Sequence, residues 1–114
     1  MTTQPDNPED VKIIGLARAA LARSRVPQGA CVRDTDGRTY AAGAVDLPHL
    51  RLSAVATAVA MAVSSGAEGL EAVALAAADE PTADDLDVVR DLGGSDVVVW
   101  SVDPHGSVRT RVVT

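Results

Sequence analysis

The segment from Ala54 to Val63 is apolar on nearly every face, and it constrains the fold more than any other part of the chain. Val55, Val59 and Val63 recur at helical spacing and form one ridge, while alanines form a second ridge of small side chains. A run of about ten residues is too short to cross a bilayer as a helix. The segment therefore predicts a buried helix that packs against a sheet on one side. Another subunit is one candidate for covering the other side.

A first helix is predicted near the N-terminus. Asn7 is a capping residue, Pro8 fits the first turn, and acidic residues follow at the positive end of the helix dipole. The helix should extend to about Ser24. Its predicted buried stripe consists of Val11, Ile14, Ala17 and Leu21. Residues 1–7 are predicted to be a flexible tail, and residues 8–114 a single domain.

The remaining segments predict a mixed sheet. Gly29–Arg33 and Arg38–Ala42 flank a turn rich in Asp and Gly, which favours a β-hairpin. The apolar helix should begin between Pro48 and Leu52 and end at Ser65. A strand, a helix and two strands follow, at Glu71–Ala77, Thr82–Leu92, Val97–Val102 and Val108–Val113. The predicted fold class is therefore α/β, with a mixed five-stranded sheet and the element order α-β-β-α-β-α-β-β.

Charge and cysteine content exclude several classes of protein. The net charge is −6, and the acidic stretch from Asp79 to Asp96 accounts for it. This stretch indicates a solvated acidic face and argues against nucleic-acid binding, since phosphates require a basic surface. The polar N-terminus predicts no signal peptide, and no membrane association is expected. The only cysteine, Cys31, excludes an intramolecular disulfide, predicts a cytoplasmic protein and is expected in the core.

Four segments carry a family resemblance when they are taken together. They are V-P-Q-G-A-C-V (26–32), D-G-R-T-Y (36–40), A-M-A-V-S-S-G (60–66) and A-V-A-L-A-A (72–77). In this order and spacing they resemble the first strand, the hairpin, the end of the catalytic helix and the third strand of the cytidine deaminase family. The resemblance covers roughly residues 8 to 113. It implies a three-layer α-β-α fold that commonly assembles as dimers or tetramers through its helices.

Activity in this family requires three zinc ligands and one glutamate, and the resemblance places other residues at all four positions. The family's C-A-E motif opens the second helix, which puts Ser53 at a ligand position and Val55 at that of the glutamate. Its P-C-x-x-C motif opens the third helix, which puts Thr82 and Asp85 at the other two ligand positions. Zinc acidifies a bound water and the glutamate moves its proton, whereas valine transfers none. Since Cys31 is the only cysteine, no alignment restores a thiolate site.

The replacements have an ordinary structural interpretation. Thr82 with Asp85 is a variant capping box, and Ser53 is able to satisfy amides near a helix start. The functional alternative is a hard cation held by these three residues, but such cations usually require more than one carboxylate. We therefore expect neither a metal nor another cofactor.

The residues that would bind a nucleoside are also altered. The family's N-x-E motif, which holds the ribose, resembles residues 44–46, where Asp46 is the only acid. The family's base-stacking aromatic falls at about Val26. Asp46 and His49 are the remaining ligand-binding candidates, although a loop histidine is commonly just exposed.

Two functions compete at this point. The first is a cytidine-deaminase-like protein without activity or zinc, which acts as a homo-oligomeric binding or regulatory module with an unidentified protein partner. The alternative is an active deaminase that hydrolyses the exocyclic amine of a pyrimidine nucleoside with an atypical metal site. A third interpretation is purely structural: a small scaffold in which the second helix joins the subunits.

Overall fold

The computed structural model of the protein describes residues 4–114. The helices are α1 (Pro8–Ser24), α2 (Ala54–Ser64) and α3 (Ala83–Gly93). The strands are β1 (Gln28–Asp34), β2 (Thr39–Gly43), β3 (Val45–Asp46), β4 (Arg51–Leu52), β5 (Leu70–Ala77), β6 (Val98–Val102) and β7 (Val108–Val113). The predicted tail lies partly outside the described residues, which begin at position 4.

Five strands form one mixed sheet in the order β2-β1-β5-β6-β7. β5 and β6 are parallel and are joined through α3, while the other neighbouring pairs are antiparallel. α1 packs on one face of the sheet, and α2 and α3 pack on the other. The predicted α/β class, the mixed five-stranded sheet, the order of elements and the three layers are therefore confirmed.

The segment between β2 and α2 contains a short second hairpin that was not predicted. Its strands β3 and β4 pair antiparallel, and the Leu47 amide donates to the Leu50 carbonyl across the tip at 2.8 Å. Strands of two residues are too short to produce an alternating pattern in the sequence. Because this hairpin occupies the segment, α2 begins at Ala54, after both predicted starts, Pro48 and Leu52.

The buried face of α1 differs from the predicted stripe. Its buried apolar residues are Ile13, Ile14, Ala17 and Ala20. Val11, which the prediction placed in the stripe, is 54% exposed. The reason is Asp10, whose carboxylate is buried against the sheet and turns the helix so that Val11 faces outward.

A buried ionic network joins α1 to the sheet. Asp10 accepts a hydrogen bond from the Arg33 guanidinium at 2.9 Å and another from the Trp100 indole N–H at 3.1 Å. Arg33 also donates to Glu71 at 2.8 Å. Burial disfavours the charge of Arg33, but the hydrogen bonds that it donates to Glu71 and Asp10 outweigh this effect and raise the pKa of the guanidinium. The network thus fixes one orientation of α1, and Trp100 is a core residue.

Strand β1 lies directly beneath α1. A side chain at Gly29 would collide with the α1 backbone at Ala17 and Leu21, so this close approach requires glycine. Cys31 lies on the same face of β1 and is fully buried, as predicted. Burial raises the pKa of the Cys31 thiol to about 11, which keeps it protonated at neutral pH.

α2 is buried on the side that faces the sheet and is exposed on the other. Its buried residues are Ala54, Val55, Ala58, Val59 and Ala62. On the opposite side Met61 is 41% exposed and Val63 is 54% exposed. The predicted packing against a sheet is confirmed, while the cover for the second side stays a prediction. None of the helices within residues 4–114 is long and apolar enough to cross a membrane.

Candidate functional site

The residues at the three predicted ligand positions lie together where the N-termini of α2 and α3 meet. Ser53 is the N-cap of α2, Thr82 is the N-cap of α3, and Asp85 follows in the first turn of α3. α3 follows the carboxyl end of β5, and this end of parallel strands is where α/β sheets commonly bind ligands. We refer to these three residues as the cap cluster.

The Ser53 hydroxyl bonds to both helices. It accepts a hydrogen bond from the Ala56 N–H at 3.0 Å, which caps α2 as predicted. It also donates to Asp85 Oδ1 at 2.7 Å, across 32 positions of the chain. The predicted helix cap is therefore also a contact between two helices.

Both carboxylate oxygens of Asp85 are engaged. Oδ1 accepts from Ser53, and Oδ2 accepts from the Thr82 N–H at 3.2 Å. The Thr82 hydroxyl accepts from the Asp85 N–H at 3.1 Å, which completes the predicted capping box. Asp85 is 3% exposed, whereas every other acidic residue from Asp79 to Asp96 is exposed. The acidic stretch is thus a solvated face with one buried member.

Val55, which the resemblance places at the position of the family glutamate, is part of the hydrophobic core. Its side chain is 1% exposed and packs in the cluster that α2 forms with the sheet and α3. A general acid or base needs a group that exchanges a proton, which valine lacks. This position contributes packing and no proton transfer.

Gln28, at the start of β1, caps α2, and this contact was not predicted. Its side-chain oxygen accepts a hydrogen bond from the Ala54 N–H at 3.1 Å and so supplies a second cap for α2. The bond joins residues 26 positions apart, and the only sequence signal is that Gln28 lies in the V-P-Q-G-A-C-V segment. The first turn of α2 is therefore satisfied from two separate elements.

The two ligand-binding candidates lie on the short hairpin instead of in the cap cluster. Asp46 pairs with Arg51 at 3.5 Å, but the side chains are 83% and 76% exposed, so the pair contributes little to stability. His49 is exposed near the tip of the hairpin. Within residues 4–114 no hydrogen bond joins either candidate to the cap cluster, and their role in ligand binding stays a prediction.

The cap cluster does not fit the zinc ion that the resemblance implies. Structural and catalytic zinc sites are built mainly from thiolates and imidazoles in tetrahedral geometry. The cap cluster offers two hydroxyls and one carboxylate, and its oxygens are engaged with one another and with helix amides. In the described part of the chain, no group of three or more His, Cys, Asp and Glu side chains is arranged to hold a metal ion.

Comparisons with known proteins agree with the resemblance. A family model described as cytidine deaminase-like matches residues 6–106. No curated protein matches the sequence at a significant level.

Similar solved structures are described as cytidine deaminases. The Burkholderia pseudomallei protein is 24% identical with a TM-score of 0.77, over 90% of this chain and 89% of that one. The Mycobacterium leprae protein is 22% identical with a TM-score of 0.71, over 92% and 94%. The Mycobacterium tuberculosis protein is 26% identical with a TM-score of 0.68, over 77% and 80%. At these low identities, the similarity to the first two proteins supports the fold and nothing further.

Proposed function

The chain belongs to the cytidine deaminase-like family, and from this membership we propose that it is a catalytically inactive, zinc-free member that acts as a homo-oligomeric binding or regulatory module. One observation carries the proposal. Ser53 donates to Asp85 at 2.7 Å, so two of the three ligand positions are bonded to each other. The third, Thr82, completes the capping box with the same carboxylate.

The chemistry of deamination supports the proposal. The reaction needs a water activated by a metal and a carboxylate that carries its proton to the departing amine. Serine and threonine hydroxyls stay neutral at pH 7 and are poor zinc ligands beside thiolates and imidazoles. Val55 holds the place of the carboxylate and is buried in the core. The family positions therefore hold no residue suited to binding zinc and none that transfers the proton.

The first test is a direct assay of activity and metal content. We expect purified protein incubated with cytidine to give no ultraviolet change, and elemental analysis to give far less than one zinc per chain. The cytidine deaminase from Mycobacterium tuberculosis, treated identically, is the positive control. Turnover together with stoichiometric zinc would overturn the proposal in favour of an active deaminase with an atypical metal site.

The outer side of α2 supports the oligomeric part of the proposal. α2 contains no charged residue, although the chain carries a net charge of −6. Val63 and Met61 are exposed on this side, together with Ala60. Two copies that approach through this surface would bury these apolar side chains against each other.

The second test is the oligomeric state. We expect light scattering to give a dimer or tetramer for the native chain and a monomer for Val63→Glu, because a buried unpaired charge opposes association. Val11→Glu is the matched control, since Val11 has the same exposure of 54% but lies on α1, across the sheet. A monomeric native chain would contradict this part of the proposal.

A further inference from the structure

The N-termini of α2 and α3 share a single buried carboxylate. Asp85 Oδ1 accepts from the hydroxyl that caps α2, and Oδ2 accepts from the N-cap amide of α3. The carboxylate is 3% exposed. In the described range, residues 4–114, none of the ion pairs includes Asp85.

A buried carboxylate without a cation needs another source of stabilisation. Taking a charge out of water is costly unless hydrogen bonds and nearby positive potential offset the loss. Each helix N-terminus carries roughly half a positive elementary charge from its aligned peptide dipoles. Two such ends converge on Asp85, and their potential acts together with the hydrogen bonds from the Ser53 hydroxyl and the Thr82 N–H to offset the loss of water.

We propose that Asp85 is a charged clamp that joins α2 to α3, in the place where the resemblance would put a metal–thiolate centre between the same two helix ends. Like the proposed function, the clamp requires that the cap cluster holds no metal ion. Asp85 is therefore more than a helix cap. Its carboxylate joins α2 to α3 within one chain, so the two helices stay packed together without a metal ion.

An ordinary capping box predicts a different energetic pattern. If Asp85 only capped α3, removing Ser53 would affect α2 alone, and the two losses of stability would add. If Asp85 joins the helices, Ser53→Ala removes the Ser53–Asp85 bond and Asp85→Asn removes the charge that strengthens that bond, so the losses overlap. A double-mutant cycle separates the two arrangements.

The experiment compares thermal unfolding of Asp85→Asn, Ser53→Ala and the double variant. From the usual relation between stability and melting temperature for small domains, Asp85→Asn should lower the Tm by about 10 °C and Ser53→Ala by about 5 °C. The double variant should lose at least about 3 °C less than the sum of the two. Asp84→Asn is the matched control, because Asp84 is exposed in the same helical turn, and it should shift the Tm by no more than about 2 °C.

The outcomes decide the proposal separately from the function. Additive losses, equal shifts for Asp85→Asn and Asp84→Asn, or an unchanged Tm in Ser53→Ala would each overturn the clamp and leave the inactive, zinc-free function standing. If Asp85→Asn shows no cooperative unfolding while Asp84→Asn does, the clamp is supported and Ser53→Ala still tests it. The native chain should keep its Tm in a chelator such as EDTA, and a fall of several degrees would overturn both the clamp and the zinc-free function, unlike the variant outcomes above.

Discussion

Replacing Gly29 with alanine should remove about 4 kcal/mol or more of the free energy of unfolding, which is a large fraction of the stability of a small domain. The added Cβ would collide with the Ala17 carbonyl and the Leu21 amide and would lie 2.9 Å from the Leu21 Cα. All three contacts are with the α1 backbone, so no rotation of a side chain relieves them. The helix would have to move off the sheet and expose the apolar cluster beneath it.

Urea unfolding of the Gly29→Ala variant measures this loss, and Gly15→Ala supplies the control. Gly15 lies on the exposed side of the same helix, where an added Cβ meets nothing within 4 Å. Alanine is favoured over glycine inside helices, so this variant should gain about 0.5–1 kcal/mol. If the free energy of unfolding of Gly29→Ala is within about 1 kcal/mol of the native value, the close packing of α1 on β1 is contradicted.

Replacing Asp10 with alanine should cost about 3–5 kcal/mol of stability, because it leaves a buried guanidinium without its buried partner. Arg33, with a side chain 8% exposed, would retain only Glu71, whose side chain is 44% exposed. The Trp100 indole N–H would also lose its acceptor. The loss is measured by thermal or urea unfolding monitored through Trp100 fluorescence, since Trp100 is the only tryptophan.

Two further variants test the cause of this loss. Glu71→Ala removes the half-exposed partner of Arg33 and should cost no more than about 1 kcal/mol. Adding Arg33→Met to Asp10→Ala should restore part of the stability, because the uncompensated charge is then removed as well. If Arg33→Met deepens the loss instead, the penalty comes from packing and not from an unpaired buried charge.

The elements of the fold were predictable where their signals are local. The Asn7–Pro8 start of α1, the first hairpin and the apolar strands each depend on neighbouring residues, and the structure confirms them. The buried face of α1 was not predictable, because an acidic residue such as Asp10 in the first turn of a helix is usually exposed to solvent. Its burial depends on Arg33 and Trp100, which are 23 and 90 positions away.

The candidate site divides in the same way. The resemblance aligned the cap cluster with the ligand positions, and residue chemistry alone excluded a thiolate site because the chain has one cysteine. The capping box spans three positions and was therefore predictable. The hydrogen bonds that Ser53 donates to Asp85 and the Ala54 N–H donates to Gln28 span 32 and 26 positions, and no local pattern encodes them.

The buried thiol of Cys31, beneath α1, reports local opening of the structure. Thiol reagents attack the thiolate of an accessible cysteine, and Cys31 is fully covered with a pKa of about 11. Labelling in the native state therefore requires that α1 lift from the sheet or that the chain unfold. Since Cys31 is the only cysteine, each molecule takes up at most one label, and mass spectrometry measures the labelled fraction over time without an engineered site. The rate at which the sheet is uncovered is thus measurable in the unmodified protein.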